Sequence, residues 1–156
     1  GGFYPVSAIL ADDPVMLVYK PGDHGSTFGG NPISATAGTA TIEYIETHSL
    51  VAHARDLGRY SLDRLKEMQE RHPLIGDVRG LGLFLGIELV KDRETRERAS
   101  DEAEAVMYAA LSRGLSFKTT MGNILTLTPP LIITREEMDR ALVIIEESIA
   151  EVEKSR

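Results

Sequence analysis

An α/β architecture, helices layered against sheet, is what this sequence predicts, and three observations carry the prediction. Amphipathic stretches with an apolar residue every third or fourth position recur along the chain. Between them lie short runs in which apolar and polar residues alternate, the period of a strand. Glycine, proline and helix-capping residues stand at the joins. With 156 residues, 42% of them hydrophobic, the chain has material for one sizeable core or two smaller ones.

The first 19 residues hold two apolar runs, "FYPVSAIL" and "VMLVY", separated by "ADDP". The first alternates enough to predict a strand, with Pro5 near its start, where a missing N–H is tolerated. Asp12 or Asp13, ahead of Pro14, opens a short helix. Residues 20–31 form a loop rich in Gly, Asp and Ser. Asn31 is a good N-cap and Pro32 suits a first helical position, so a helix is predicted over 32–47. Its Ala, Gly, Ser and Thr content allows close packing and predicts a buried helix beside a site or an interface. Ser49 is placed to cap a second helix with Leu50, Ala54, Leu57, Leu62, Leu65 and Met68 inward, stopped by "HP" at 72–73.

Over 74–90, "LIGDVRGLGLFLGIELV", the period changes. Leu83, Leu85, Ile87 and Leu89 alternate with Phe84, Gly86 and Glu88, which reads as a strand preceded by a tight "DVRG" turn. The charged "KDRETRERASDE" is a solvated connection. A helix follows with Val106, Met107, Ala110 and Leu111 inward and Gly114 as its terminating glycine. Short strands around 115–118 and 124–127 flank a turn at Met121, Gly122 and Asn123. Thr134 and Glu137 form a capping box for a last helix with Met138, Leu142, Ile145, Ile149 and Val152 on one face. A composition change near residue 48 divides a glycine-rich, site-like region, 1–48, from an ordinary small α+β domain, 49–156.

Composition narrows the function. A net charge of −7 argues against nucleic acid as a partner, because phosphate neutralisation needs clustered Lys and Arg. No segment approaches a membrane span. Without cysteine there is no disulfide framework and no thiolate metal site, and no metal centre is expected. No signal-peptide pattern opens the chain, and the expectation is a cytoplasmic protein. The chain opens on apolar sequence with no initiator Met, which points to the C-terminal part of a longer protein.

The stretch "HGSTFGGNP", 24–32, carries more than a helix start requires. Backbone N–H groups around consecutive glycines, beside a helix N-terminus, make an anion-binding concavity. Ser26 and Thr27 add two hydroxyl donors, and a phosphate group fits that donor set. The alternative is a glycine-rich turn that only caps the helix. The stretch is neither a P-loop, which needs Lys before Ser or Thr, nor a dinucleotide fingerprint.

Taken in order, "GGFYPVSAIL", "HGSTFGGNP", "VRGLGLFLGIEL" and "LTPPLII" resemble the C-terminal part of class III pyridoxal-phosphate aminotransferases, the ornithine, 4-aminobutyrate and ω-aminotransferase group. The resemblance covers essentially the whole chain. It implies the aspartate-aminotransferase-like fold type I of PLP-dependent transferases, here the end of a large domain, 1–48, plus the small C-terminal domain, 49–156. It implies pyridoxal 5'-phosphate as cofactor and an amine or amino acid and a keto acid as substrates. Thr27, helped by Ser26, would donate to the cofactor phosphate of the neighbouring subunit, so the active form would be a homodimer with shared sites. Gly29 and Gly30 would permit close backbone approach.

The resemblance also places the Schiff-base lysine just upstream of Gly1, so no catalytic residue is assigned within the chain, which alone is expected to be inactive. Lys20 and Lys118 read as surface lysines. Many relatives that bind an α-carboxylate carry Arg at the position of Thr126, which here would line the substrate side without a guanidinium. Arg79 is the tempting replacement but reads as structural. His24, in the same loop, is placed to line the site but reads first as a hydrogen-bonded loop residue, His48, His53 and His72 read as helix-end or surface residues, and Glu88 as an edge or paired carboxylate. Racemases, epimerases and a decarboxylase share the scaffold and form the alternative reading. A non-catalytic structural fragment is the third.

Overall fold

The computed structural model, which describes residues 2–155, divides into two units, Gly1–Ser49 and Leu50–Arg156. The first unit holds two helices, α1 (Asp13–Met16) and α2 (Pro32–Thr47). Asp12 stands at the N-cap of α1 with Pro14 in its first turn, as the "ADDP" pattern predicts. Asn31 caps α2 through its side chain: Oδ1 accepts from the Ser34 N–H at 2.9 Å, and Nδ2 donates to Phe28 O at 2.9 Å. The strand predicted from "FYPVSAIL" does not form, because no second strand lies in this unit to pair with it.

Nor is α2 buried as predicted. Ser34 is its one buried residue, and Ile33 and Ile42 are about 60% exposed (62% and 60%). Small residues create the opportunity for close packing, and among the described residues it is used only in part: Gly2 and Val6 of the N-terminal segment lie against Thr41 and Gly38, which with Ala37 are half-buried. Ser49 also departs from expectation. Its φ of 51° is left-handed, and its N–H reaches Glu46 O at 3.0 Å while the His48 N–H reaches Tyr44 O. Those bonds make Ser49 the residue that terminates α2 rather than the cap of the next helix.

The second unit runs α3 (Leu50–Arg71), β1 (Ile75–Leu81), β2 (Phe84–Leu89), α4 (Ser100–Ser112), β3 (Lys118–Thr120), β4 (Ile124–Leu127) and α5 (Arg135–Lys154). The strands form one antiparallel sheet in the order β1-β2-β4-β3. Val78, Leu85, Ile87, Leu89, Leu125 and Leu127 point to one face and are buried there with Leu57, Leu65 and Met68 of α3 and Met138, Leu142, Ile145 and Ile149 of α5. Fully buried leucines and isoleucines of this kind contribute about 2 kcal/mol each, which makes this cluster the main source of stability. The capping box of α5 is present in both directions: Glu137 N–H donates to Thr134 Oγ1 at 3.2 Å and Thr134 N–H donates to Glu137 Oε2 at 2.9 Å.

The single strand predicted over 74–90 is in fact a hairpin. Gly76, Asp77, Arg79 and Gly80 have low strand propensity and hide β1 in the sequence, yet the partner strand holds it from Ile75 to Leu81. The turn is at Gly82, with φ 55°. Behind it, Gly58 of α3 lies against the Gly82 carbonyl so closely that a Cβ on Gly58 would sit 2.1 Å from that oxygen. Leu111 is 52% exposed, not inward as predicted; Ala103, Val106 and Ala110 form the buried stripe of α4. Among the described residues no helix is long and apolar enough to cross a membrane.

Candidate functional site

In the first unit the chain from Lys20 to Asn31 folds as successive turns: Asp23 N–H reaches Lys20 O, Gly29 N–H reaches Ser26 O at 3.3 Å, and Asn31 N–H reaches Phe28 O at 3.3 Å. These turns wall a groove of about 790 Å³ whose lining includes His24, Ser26, Gly29, Gly30, Asn31 and Ser34. Gly30 has φ 68°, which a side chain seldom tolerates, and a Cβ on Gly29 would lie 3.1 Å from Ser26 Cβ. The glycines therefore keep the Ser26 side of the groove open.

Among the described residues, neither the Ser26 nor the Thr27 hydroxyl has a hydrogen-bond partner, so both are available to a ligand. Ser26 lines the groove; Thr27 is exposed and does not. The helix terminus is less available than the sequence implies, because Asn31 has already taken the Ser34 N–H. What remains is a set of neutral hydroxyl and amide donors around an open floor, which fits a phosphate group better than a carboxylate-rich metal site. His24 lines the groove, the second of its two expected places, and its ring has no hydrogen-bond partner among the described residues, against the expectation that it ties the loop.

In the second unit the outer face of the sheet carries the other candidates. Arg79, Gly86, Thr126 and Lys118 are successive cross-strand partners, so they share that face. Thr126 is 8% exposed and its Oγ1 lies 2.7 Å from Thr120 Oγ1. Both threonines line a groove of about 340 Å³ with Arg79, Gly86, Phe84 and Ile124. Because Gly86 has no side chain, the space between Arg79 and Thr126 is open. Thr120 was not singled out by the sequence; only its register, two residues from the Thr126 partner Lys118, could have pointed to it.

Arg79 sits in the middle of β1, not in a turn as predicted, and bonds Glu88 Oε2 at 2.7 Å and Asp77 Oδ2 at 2.5 Å. Those bonds, Glu88 first, hold its guanidinium further above its ordinary value. With two carboxylates on one guanidinium, this face has no cation to spare at Arg79. Glu88 is paired, as its position in an apolar strand suggests. Lys118 is exposed and Lys20 engages Asp23 through its backbone alone, its N–H donating to Asp23 Oδ2 at 2.8 Å and its carbonyl accepting the Asp23 N–H. His72 is buried rather than superficial: its Nδ1 lies 2.7 Å from Glu153 Oε2 on α5.

The chain is similar to known proteins over nearly all its length. The family model described as Aminotransferase class-III matches residues 1–149. A leucine/methionine racemase of Thermococcus litoralis is 45% identical over the whole chain, which spans 35% of that protein. An ornithine aminotransferase of Exiguobacterium sp. is 41% identical over 96% of the chain, which spans 34% of it. Among solved structures, ornithine δ-aminotransferase of Plasmodium falciparum superposes with a TM-score of 0.88 at 34% identity, over 99% of this chain and 38% of that one. The chain thus spans about a third of the curated relatives it matches.

Proposed function

The chain belongs to the class III aminotransferases, and from that premise we propose that the protein it represents moves an amino group from an amine or amino-acid donor to a keto acid with pyridoxal 5'-phosphate as cofactor. The observation that carries the reading is the open groove at Ser26, with unpartnered hydroxyls on Ser26 and Thr27. When bound, the cofactor supplies the electron sink that makes a bond at the amine-bearing carbon breakable.

The chain's own residues do the rest of what can be assigned to it. Ser26 and Thr27 donate hydroxyl hydrogens to the cofactor phosphate of the neighbouring subunit. Gly29 and Gly30 keep side chains out of that approach, and Asn31 fixes the loop by holding the start of α2. This arrangement needs a homodimer, and the uncovered small-residue surface of α2 suits it to lie near the interface. Thr126 meets the substrate with a hydroxyl. Residues 1–48 are assigned to the end of the large domain and 49–156 to the small domain. Neither Lys20 nor Lys118 is given the role of holding the cofactor; that lysine is assigned to the part of the relatives' length that this chain does not span, so the chain alone is inactive. The protein is assigned to the cytoplasm.

The test uses the full-length protein. Mixing it with the cofactor should give a visible absorbance band that shifts on adding an amine donor, and amino product should appear in step with keto acid consumed. Ser26→Ala and Thr27→Ala should each weaken cofactor binding about tenfold. Turnover that ignores the keto acid would overturn the aminotransferase reading. One observation favours a second reading: Thr126 supplies no guanidinium, and a relative named as a racemase is among those described above. Inversion of an L-amino acid without any keto acid would establish racemisation instead.

A further inference from the structure

The outer face of the sheet is a lattice of side chains. Two of its rows run Arg79–Gly86–Thr126–Lys118 and Asp77–Glu88–Ile124–Thr120, and Leu81 lies opposite Phe84 at the hairpin end. Gly86 leaves one place in that lattice without a side chain, and the groove of about 340 Å³ lies over it. Thr126 is buried at its floor and Gly86 and Ile124 are half-buried, while Leu81 and Phe84 stand 88% and 65% exposed at its rim. Contiguous apolar side chains left in water mark a ligand groove or a contact surface.

Charge decides what enters. Arg79, the one charged side chain among the described lining residues, is bonded to Glu88 and Asp77, neither of which lines the groove. The Thr120 and Thr126 hydroxyls are bonded to each other at 2.7 Å, so an apolar neighbour strips neither of all its hydrogen bonds. Lys118, whose ammonium has no partner among the described residues, stands outside the lining. A carboxylate or an ammonium placed in this groove would lose water and meet no free counter-charge, which is costly. A hydrocarbon chain leaves water there at a gain.

We propose that this groove receives the substrate's side chain and selects α-amino acids whose side chain is aliphatic and uncharged, with Gly86 setting its depth and the Thr120–Thr126 pair its neutrality. This rests on the amino-acid reading given above. Gly86 is the residue through which the depth can be changed alone. A Cβ there would lie 3.4 Å from Ile124 Cγ2, an ordinary contact, and its backbone is not left-handed. Gly86→Ala therefore fits the sheet while putting a methyl group into the groove.

The experiment gives the full-length protein L-alanine, L-norvaline, L-glutamate and L-lysine in deuterated water and follows loss of the α-hydrogen, a step that transamination and racemisation share. The wild-type kcat/KM for L-norvaline should exceed those for L-glutamate and L-lysine about tenfold. Dissociation constants of α-methylnorvaline and α-methylglutamate, which have no α-hydrogen to lose, should fall in the same order by calorimetry. Gly86→Ala should raise KM for L-norvaline about tenfold and leave L-alanine, which has no chain to place in the groove, within about twofold. Thr126→Arg should raise kcat/KM for L-glutamate about tenfold; Gly86→Ala carries the test where arginine is not tolerated at that buried site. A wild type that prefers L-glutamate or L-lysine, or a Gly86→Ala variant that treats L-alanine and L-norvaline alike, overturns the inference and leaves the function standing. Loss of the α-hydrogen from none of the four overturns both.

Discussion

Asn123 shows how much one buried side chain holds. It is 1% exposed; its Nδ2 donates to Leu89 O at 2.9 Å, and its backbone carbonyl accepts the Leu89 N–H at 2.8 Å. The end of β2 is thereby fastened to the turn before β4. Asn123→Ala should remove the first of these bonds and leave Leu89 O with the Ala99 N–H alone, at 3.2 Å, lowering the unfolding free energy by about 1 kcal/mol in urea titration of the full-length protein. A change within a few tenths would show the side-chain bond to be dispensable. In the sequence this residue is one of three in a predicted turn, and nothing there separates a turn asparagine from a clamp. The unpartnered hydroxyls of Ser26 and Thr27 stand out in the sequence because hydroxyls beside glycines are unusual; the unbonded ring of His24 does not, because a loop histidine has many ordinary uses. Its role depends on which neighbours bond to it, and that is a property of the folded loop.

At the scale of elements, α3 and α5 are joined at their ends by charge. Arg71 Nη2 lies 2.6 Å from Glu146 Oε1, and His72 lies against both Glu146 and Glu153. Burial pushes the Glu146 carboxyl up, but the hydrogen bond and charge of Arg71, with those of His72, outweigh it and hold the group below its ordinary value of 4.5. A depressed carboxyl stabilises the fold above its unfolded value, and that stability is lost as pH falls through the folded value. Melting temperature should therefore drop as pH goes below about 4.5, and Glu146→Gln should start lower and drop less over that window. Parallel curves would show that the Arg71–Glu146 contact adds nothing. Helices were legible at this scale, with the caps of α2 and α5 though not the start of α3, because capping chemistry and a 3.6-residue period are local. The strands were legible only in part. β2 and β4 carry their own alternation, whereas β1 is made a strand by its partner, and "FYPVSAIL" remains unpaired for want of one.

For the whole molecule, every buried hydrophobic side chain among the described residues belongs to the second unit, from Leu50 to Val152, while the described part of the first buries Ser34 alone. Stability should be distributed accordingly. In the 156-residue chain by itself, amide hydrogen exchange should be fast through residues 2–49, α2 included, and slow in β2, β4, α3 and α5. Comparable protection in both parts would contradict this. The composition change near residue 48 was visible in the sequence, and the two units meet between Ser49 and Leu50. Glycine-rich, apolar sequence reads as a site whether or not the surface that completes it is present.

The close seating of Gly58 on the Gly82 carbonyl has a consequence for how tolerant this sequence is to change. A helix interior usually accepts alanine in place of glycine with a gain of about 1 kcal/mol. Here one methyl group displaces the hairpin backbone, and with it Arg79, Gly86 and Thr126 on the far side of the sheet. A saturation-mutagenesis survey scored on folding yield would rank position 58 beside the fully buried core residues, although it carries no side chain to bury. Its intolerance measures the spacing between a helix and a sheet, a tolerance gauge written as a missing carbon atom.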